Sequence, residues 1–262
     1  MTTTFRLLRQ TNGASRFAEV TVEVAGSGGP EVEVTAMVED GYRREAALGA
    51  RWGLSGSPLA TKVTVTDVVV TEADTSVGDV YEATAHAVWQ AVGVKHDVPY
   101  VGFSDAEMVT SWLNRMLGRR LDAVTVARFR HLRESDAQGL LHAWLFFDHA
   151  VPVRLHVSGE QLLLSKEEPN RSNVDESGSV RLGPARPPDM LSGFVGARLL
   201  DGAVILGDDD VPVCVGLVLR FDNGELTMGA IADEWVLAVD DSVPAWAAHY
   251  WAVQPFVGGG SP

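Results

Sequence analysis

Leu145–Leu163, LFFDHAVPVRLHVSGEQLL, and Leu219–Leu237, LRFDNGELTMGAIADEWVL, are the stretches whose comparison decides the fold of the C-terminal half. Leu145-Phe146-Phe147-Asp148 falls on Leu219-Arg220-Phe221-Asp222, Val157 on Ile231, Glu160 on Glu234 and Leu162-Leu163 on Val236-Leu237, all at one offset of 74 residues. Upstream, Gly118-Arg119-Arg120-Leu121 matches Gly196-Ala197-Arg198-Leu199 at an offset of 78, so a few loop residues differ between the copies. Similarity at a fixed spacing marks one small unit used twice, and the apolar–polar alternation inside each stretch is that of strands. A mostly β, internally duplicated region is therefore expected over 119–257, with copies at about 119–165 and 196–240. In the second copy Asp222-Asn223-Gly224 predicts a hairpin, because Asn-Gly accepts the positive φ angles of a type I′ turn. The first copy has Asp148-His149-Ala150 there, a weaker turn signal. Lys166 to Pro188, polar and Pro-containing, reads as a long exposed linker, and residues 258–262 as a tail that frays.

Ahead of this region the periodicity changes repeatedly. Phe17 to Val24 alternates, a Gly-Ser-Gly-Gly-Pro run at 26–30 marks a turn, and a second strand is expected at Glu31 to Val38. Glu39 to Leu54 places Tyr42, Ala46, Leu48 and Trp52 near helical spacing and stops at Ser55-Gly56-Ser57-Pro58. Lys62 to Val70 is a β-branched strand, and Val77 to Val92 puts Val80, Ala83, Ala87, Val88 and Ala91 on one helical face. The order is strand, strand, helix, strand, helix over residues 1–95. A connector with one helix follows at 96–118, where Ser104 and Glu107 have the spacing of a capping box. The fold class is α+β.

Pro58-Leu59-Ala60, Val63-Thr64-Val65-Thr66-Asp67, Asp74-Thr75-Ser76 and Ala83 resemble domain IV of bacterial translation elongation factor G, where a strand ends in Asp, an Asp-Ser-Ser loop follows seven residues later, and a helix begins. The resemblance covers roughly residues 15–93 and implies a ribosomal protein S5 domain 2-like fold, a sheet packed on two helices. The histidine and glycine usual in that family's loop are replaced here by Thr71 and Val68, and Val68-Val69-Val70 lacks their polar character. A phosphate-binding loop is absent too: the nearest string, Gly56 to Val63, lacks the second glycine and the hydroxyl that reaches magnesium.

The 262 residues, 46% of them hydrophobic, suffice for a sizeable core. The longest apolar run, near Val211 to Leu219, is too short to span a bilayer, and the start carries no basic-then-apolar signal, so a cytoplasmic protein with no membrane partner is expected. The single cysteine, Cys214, lies in VPVCVGLVL and reads as a small buried hydrophobe. Net charge is −14, and residues 181–262 hold 11 acidic against 4 basic groups. Nucleic acids are bound mainly through Lys and Arg on phosphate, which makes them unexpected partners except by way of the ribosome; a basic protein fits better.

No nucleophile elbow, zinc-protease helix or dinucleotide fingerprint is present, and no cofactor or metal is expected. His142, His149 and His156 stand seven apart around a strand pair; an odd spacing alternates faces along one strand, so surface or structural roles are expected. Asp208, Asp209 and Asp210 lack the ligand spacing of a calcium loop. Asp233 and Glu234, with Asp240 and Asp241, bracket an apolar strand and either keep an edge soluble or dock a partner. Trp246, Tyr250 and Trp251, near helical spacing, either pack a short terminal helix or form an aromatic patch. The expected function is that of a non-enzymatic, protein-binding immunity or accessory factor, using Asp208, Asp209, Asp210, Asp233, Glu234, Asp240, Asp241, Trp246 and Trp251. The alternatives are a ribosome-associated factor without GTPase activity and an enzyme of unknown chemistry.

Overall fold

In the computed structural model, which describes residues 1–11, 14–55, 61–93, 102–131, 138–169, 178–207, 212–240 and 242–258, the chain forms two units that divide between Gly102 and Phe103. The protein is α+β and mostly β, with three sheets. The first unit runs β1 (Thr2–Thr11), β2 (Ala14–Gly26), β3 (Glu31–Val34), α1 (Asp40–Leu54), β4 (Thr61–Val69) and α2 (Asp79–Val92). Its sheet order is β1-β2-β4-β3, with β3 parallel to β4 and the other pairs antiparallel. Strand β1 is absent from the expected order: its sequence pairs Leu7 with Leu8 and inserts Arg6 and Arg9, and of these only Leu7 is buried. Cross-strand pairing to β2 over ten residues holds it. Strand β3 stops at Val34, four residues short of the expected end.

Alternate residues of the sheet, Leu7, Val20, Val22, Val63 and Val65, meet Ala46, Ala50 and Leu54 of α1 and Val80, Ala83, Ala87 and Val88 of α2 in one apolar core. The helices approach closely because α1 has glycines at the contact. A Cβ on Gly49 would lie 2.3 Å from the Tyr81 carbonyl oxygen, and one on Gly53 2.7 Å from Val88 Cβ. At the start of α2 lies a buried charge network. Arg16 Nε donates to Asp79 Oδ1 at 2.8 Å, its Nη2 donates to Glu82, and Arg9 reaches the other Glu82 oxygen at 2.9 Å. Burial works against the Arg16 cation, but Glu82 and Asp79 outweigh it and hold its pKa above the ordinary arginine value. Glu45, buried on α1, accepts from the amides of Gly78 and Tyr81 at 3.1 and 3.4 Å and so caps α2 from outside.

The second unit begins with α3 (Ala106–Met116). The expected capping box is not used: Asp105 caps α3 by accepting from the Met108 amide at 3.1 Å, while Ser104 Oγ donates to Gln161 and its carbonyl accepts from Cys214. Two four-stranded meanders follow. The first is β5 (Leu121–His131), β6 (Gln138–Phe147), β7 (Val153–Ser158) and β8 (Gln161–Lys166). After β9 (Gly178–Pro184) and a short 3-10 helix (Met190–Phe194), the second is β10 (Leu199–Leu206), β11 (Cys214–Phe221), β12 (Gly224–Ile231) and β13 (Glu234–Val239). A four-residue α4 (Ala245–Ala248) and β14 (Ala252–Val253) end the described chain. The sheets read β8-β7-β6-β5-β9 and β13-β12-β11-β10-β14. Part of the expected linker is therefore structured: β9 adds to β5 over seven residues, because its backbone satisfies that open edge.

The matched residues of the two repeats sit at one junction. Leu199 donates to the Arg119 carbonyl and Leu121 to that of Ala197, both at 2.9 Å; Gly118 donates to Leu199 and Gly196 to Leu121, both at 2.7 Å. Each bond is the other's counterpart under exchange of the repeats, as across a two-fold interface. Gly118 (φ 76°) and Gly196 (φ 91°) supply the left-handed turn that enters each meander. Asp148 Oδ1 accepts from the Arg120 amide at 2.9 Å and Asp222 Oδ1 from that of Arg198 at 3.1 Å. The second repeat's hairpin forms, but not as type I′: Asp222 and Asn223 have negative φ and Gly224 takes the positive angle, 145°.

Replacing Arg16 by Met leaves two buried carboxylates without their main cation and should lower stability by about 3–5 kcal/mol. Urea unfolding of the whole chain tests this, and a loss under about 1 kcal/mol would show that the network is dispensable.

Candidate functional site

The described acidic residues singled out from sequence, Asp233, Glu234 and Asp240, do not form one patch. Asp233 (φ 65°) makes the β12–β13 turn: its amide donates to the Gly159 carbonyl at 2.9 Å and its carboxylate accepts from the Gly159 amide. Glu234 opens β13 and is exposed. Asp240 (φ 47°) lies beyond the other end of that strand, about 20 Å away at strand rise, and its Oδ1 accepts from the Glu225 amide at 2.8 Å. Asp208, Asp209, Asp210 and Asp241 lie outside the described residues. Asp233 and Asp240 thus hold turns as well as carrying charge.

The two tryptophans separate likewise. Trp246, on α4, is 56% exposed. Trp251 is half-buried and packs against β12, where a Cβ on Gly229 would stand 2.6 Å from its Cζ2. With Phe256 it covers Ala203, Ile205, Val215 and Val218, and the Arg220 guanidinium sits 4.0 Å from the Phe256 ring centre. Backbone bonds from Gln254 to Val204 and from Val257 to Gly202 tie this segment along β10. It closes the outer face of the second repeat's sheet.

The corresponding sheet of the first repeat is different. His149 (φ 55°) stands in the turn between β6 and β7, and in an antiparallel hairpin residues equidistant from the turn are paired. His142 and His156, seven residues on either side, are therefore cross-strand partners with ring centres 5.5 Å apart. Following one strand's alternation hides this convergence, whereas folding the 142–156 segment about its own centre reveals it. The register continues across three strands: His142 pairs His156, which pairs Leu163, and in the next row Trp144 pairs Arg154, which pairs Ser165. Trp144 and Ser165 are fully buried and His156 is 9% exposed.

His142 Nδ1, His156 Nδ1, Trp144 Nε1 and Ser165 Oγ have no hydrogen-bond partner among the described residues. Arg154 is ion-paired to Glu167. Burial, then the Arg154 cation, lowers the pKa of His142 to about 4 and that of His156 to about 3, the latter helped by His142. Both rings are neutral at physiological pH. Cys214 is buried, and burial pushes its thiol up to about 12, which leaves it unreactive. No group of three or more His, Cys, Asp or Glu is arranged for a metal ion among the described residues. In the first unit, Met37, Val38, Tyr42, Arg43 and Val68 to Val70 line an open, mostly apolar groove of about 590 Å³ in which Met37 is almost wholly exposed.

No family model matches this chain, and no curated protein is similar to it. Among solved structures, the crystal structure of ttk003000868 from Thermus thermophilus is similar at 12% identity with a TM-score of 0.31; the likeness covers 74% of this chain, which spans 29% of that one. No helix among the described residues is long and apolar enough to cross a membrane.

The histidine pair makes stability depend on pH. Both folded pKa values lie below the unfolded value of about 6.5, so the neutral rings favour the fold above that pH. As pH falls from 6.5 towards 3 the unfolded chain takes up protons that the folded chain resists, and stability is lost. Urea midpoints between pH 7.5 and 4.5 should fall more steeply for the native protein than for a His142→Gln/His156→Gln variant; equal slopes would contradict this origin.

Proposed function

We propose that this chain is a protein-binding factor, of the immunity or accessory kind, whose second repeat engages a basic partner. The observation that carries this reading is the charge of residues 181–262, with 11 carboxylates against 4 cations. Two of those cations are turned to the chain itself: Arg198 donates to the Gly118 carbonyl, and Arg220 lies over Phe256 and beside Glu225. Asp222, Asp233, Glu234 and Asp240 are all exposed. A field of one sign steers an oppositely charged partner and weakens as salt rises. Trp246 supplies an exposed aromatic anchor on the same unit.

A second reading rests on a different observation. In the first unit a four-stranded sheet carries α1 and α2 on one face, with Asp67 near the end of β4 and Asp74 in the loop before α2. That arrangement supports the resemblance to elongation factor G domain IV and the S5 domain 2-like fold, and with it a ribosome-associated role. Arg43, Arg44 and Arg51 of α1 are the local cations such a role would use.

Affinity capture from the native host at low and moderate salt, followed by mass spectrometry, separates the two. A basic protein retained at low salt and lost at moderate salt is the expected result. Lysine at Asp208, Asp209, Asp210, Glu234 and Asp241 should abolish that capture while leaving both turn-holding carboxylates in place; unchanged capture would refute the acidic surface, and recovery of ribosomal proteins would favour the second reading.

A further inference from the structure

We propose that the outer face of the first repeat's sheet, centred on Trp144, Arg154, Ser165, His142 and His156, is a buried binding site for a small oxyanion. The internal duplication provides a control. At the 74-residue offset His142 corresponds to Gly216 and Trp144 to Val218. In the second repeat Gly216 pairs Gly229 and Val218 pairs Thr227, and Trp251 and Phe256 seal that small, largely apolar face. The scaffold thus closes this face with one orphaned side-chain polar atom, Trp251 Nε1, among the described residues. The first repeat instead places five polar side chains in two adjacent cross-strand rows, and four of them have a buried polar atom without a partner among the described residues.

Buried polar groups are normally satisfied, so a cluster of orphans on neighbouring positions points to a missing partner. The chemistry of that partner follows from the atoms. The Trp144 indole N–H only donates, the Ser165 hydroxyl and the neutral His156 ring each have a hydrogen to give, His142 gives its own to the Leu141 backbone, and the Arg154 guanidinium beside them is a cation. The partner must present acceptors and is favoured by negative charge. Phosphate and carboxylate groups share this character, and Arg154 draws either one, less the part of its charge that Glu167 offsets. A metal cation is disfavoured by Arg154 and by the absence of a third ligand among the described residues. Water would satisfy single donors but gains nothing from the charge.

The test uses the full chain with histidine ring resonances assigned through His142→Gln and His156→Gln. Inorganic phosphate and acetate are titrated separately against sodium chloride at constant ionic strength. Saturable shifts of both rings with one of the two anions are expected, and whichever acts identifies the class. Trp144→Phe and Ser165→Ala should each weaken that response about tenfold, the effect of losing one good hydrogen bond. Without anion Ser165→Ala should be at least as stable as the native chain, since it removes an orphaned donor, whereas Trp144→Phe also opens a cavity in a fully buried position. Ser165→Ala deletes a single oxygen and keeps the test decisive if Trp144→Phe fails to fold. The proposal is overturned if neither anion shifts the rings, as for a face satisfied by water, or if both variants respond as the native chain does, as for binding elsewhere on the surface.

Discussion

The second unit depends on the reciprocal backbone junction between its repeats. Four amide-to-carbonyl bonds join Gly118–Leu121 to Gly196–Leu199, and the Arg120 and Arg198 amides beside them are capped by Asp148 and Asp222. A meander of four strands leaves unpaired backbone along its first strand and has one face to bury. Strands β9 and β14 take up those edges, and pairing the entries of the two meanders satisfies the backbone just ahead of them. The two glycines are needed there because only a left-handed residue turns the chain from the preceding helix into the strand without strain. A second contact, between Gly159 and Asp233, joins the equivalent turns and repeats the pattern.

Once duplicated, the repeats are free to diverge on the faces that do not meet. The second closes its outer face with Trp251 and Phe256, the indole ring approaching Gly229 too closely to admit a Cβ there. The first has histidines, an arginine, a tryptophan and a serine on the comparable strands. Small apolar groups under an aromatic lid gain from exclusion of water, whereas buried donors lose by it unless something accepts their hydrogens. Divergence of this kind separates a structural copy from one that recognises a ligand.

The first unit meets a different constraint. Helix α2 starts inside the protein, where its free amides would be orphaned, and Glu45 and Asp79 supply the acceptors: Glu45 for Gly78 and Tyr81, Asp79 for Ser76. Those buried carboxylates and Glu82 in turn require a cation, which Arg16 brings from β2. A buried ion network of this sort fixes one register of strand against helix more than it raises stability.

Periodicity and offset made much of this legible. The alternation of Phe17 to Val24, the helical spacing of Ala46 and Val88 and the 74-residue repeat depend only on local backbone geometry or on comparing the chain with itself, and both survive in one dimension. Strand β1 escaped because Leu7 is its one fully buried residue among the described side chains, and β9 because its neighbours are polar and Pro-containing. The cap of α3 moved from Ser104 to Asp105 because Cys214, 110 positions away, claims the Ser104 carbonyl. The convergence of His142, His156, Trp144, Arg154 and Ser165 was decided by tertiary structure alone. Their alignment follows from the register of two successive hairpins, and burial comes from what packs over them, so neither a spacing nor a composition records it. What the sequence determined by itself is the set of elements and their duplication, through short-range sterics; what only the folded chain decided is which polar atoms lose their water, through contacts between residues distant along it.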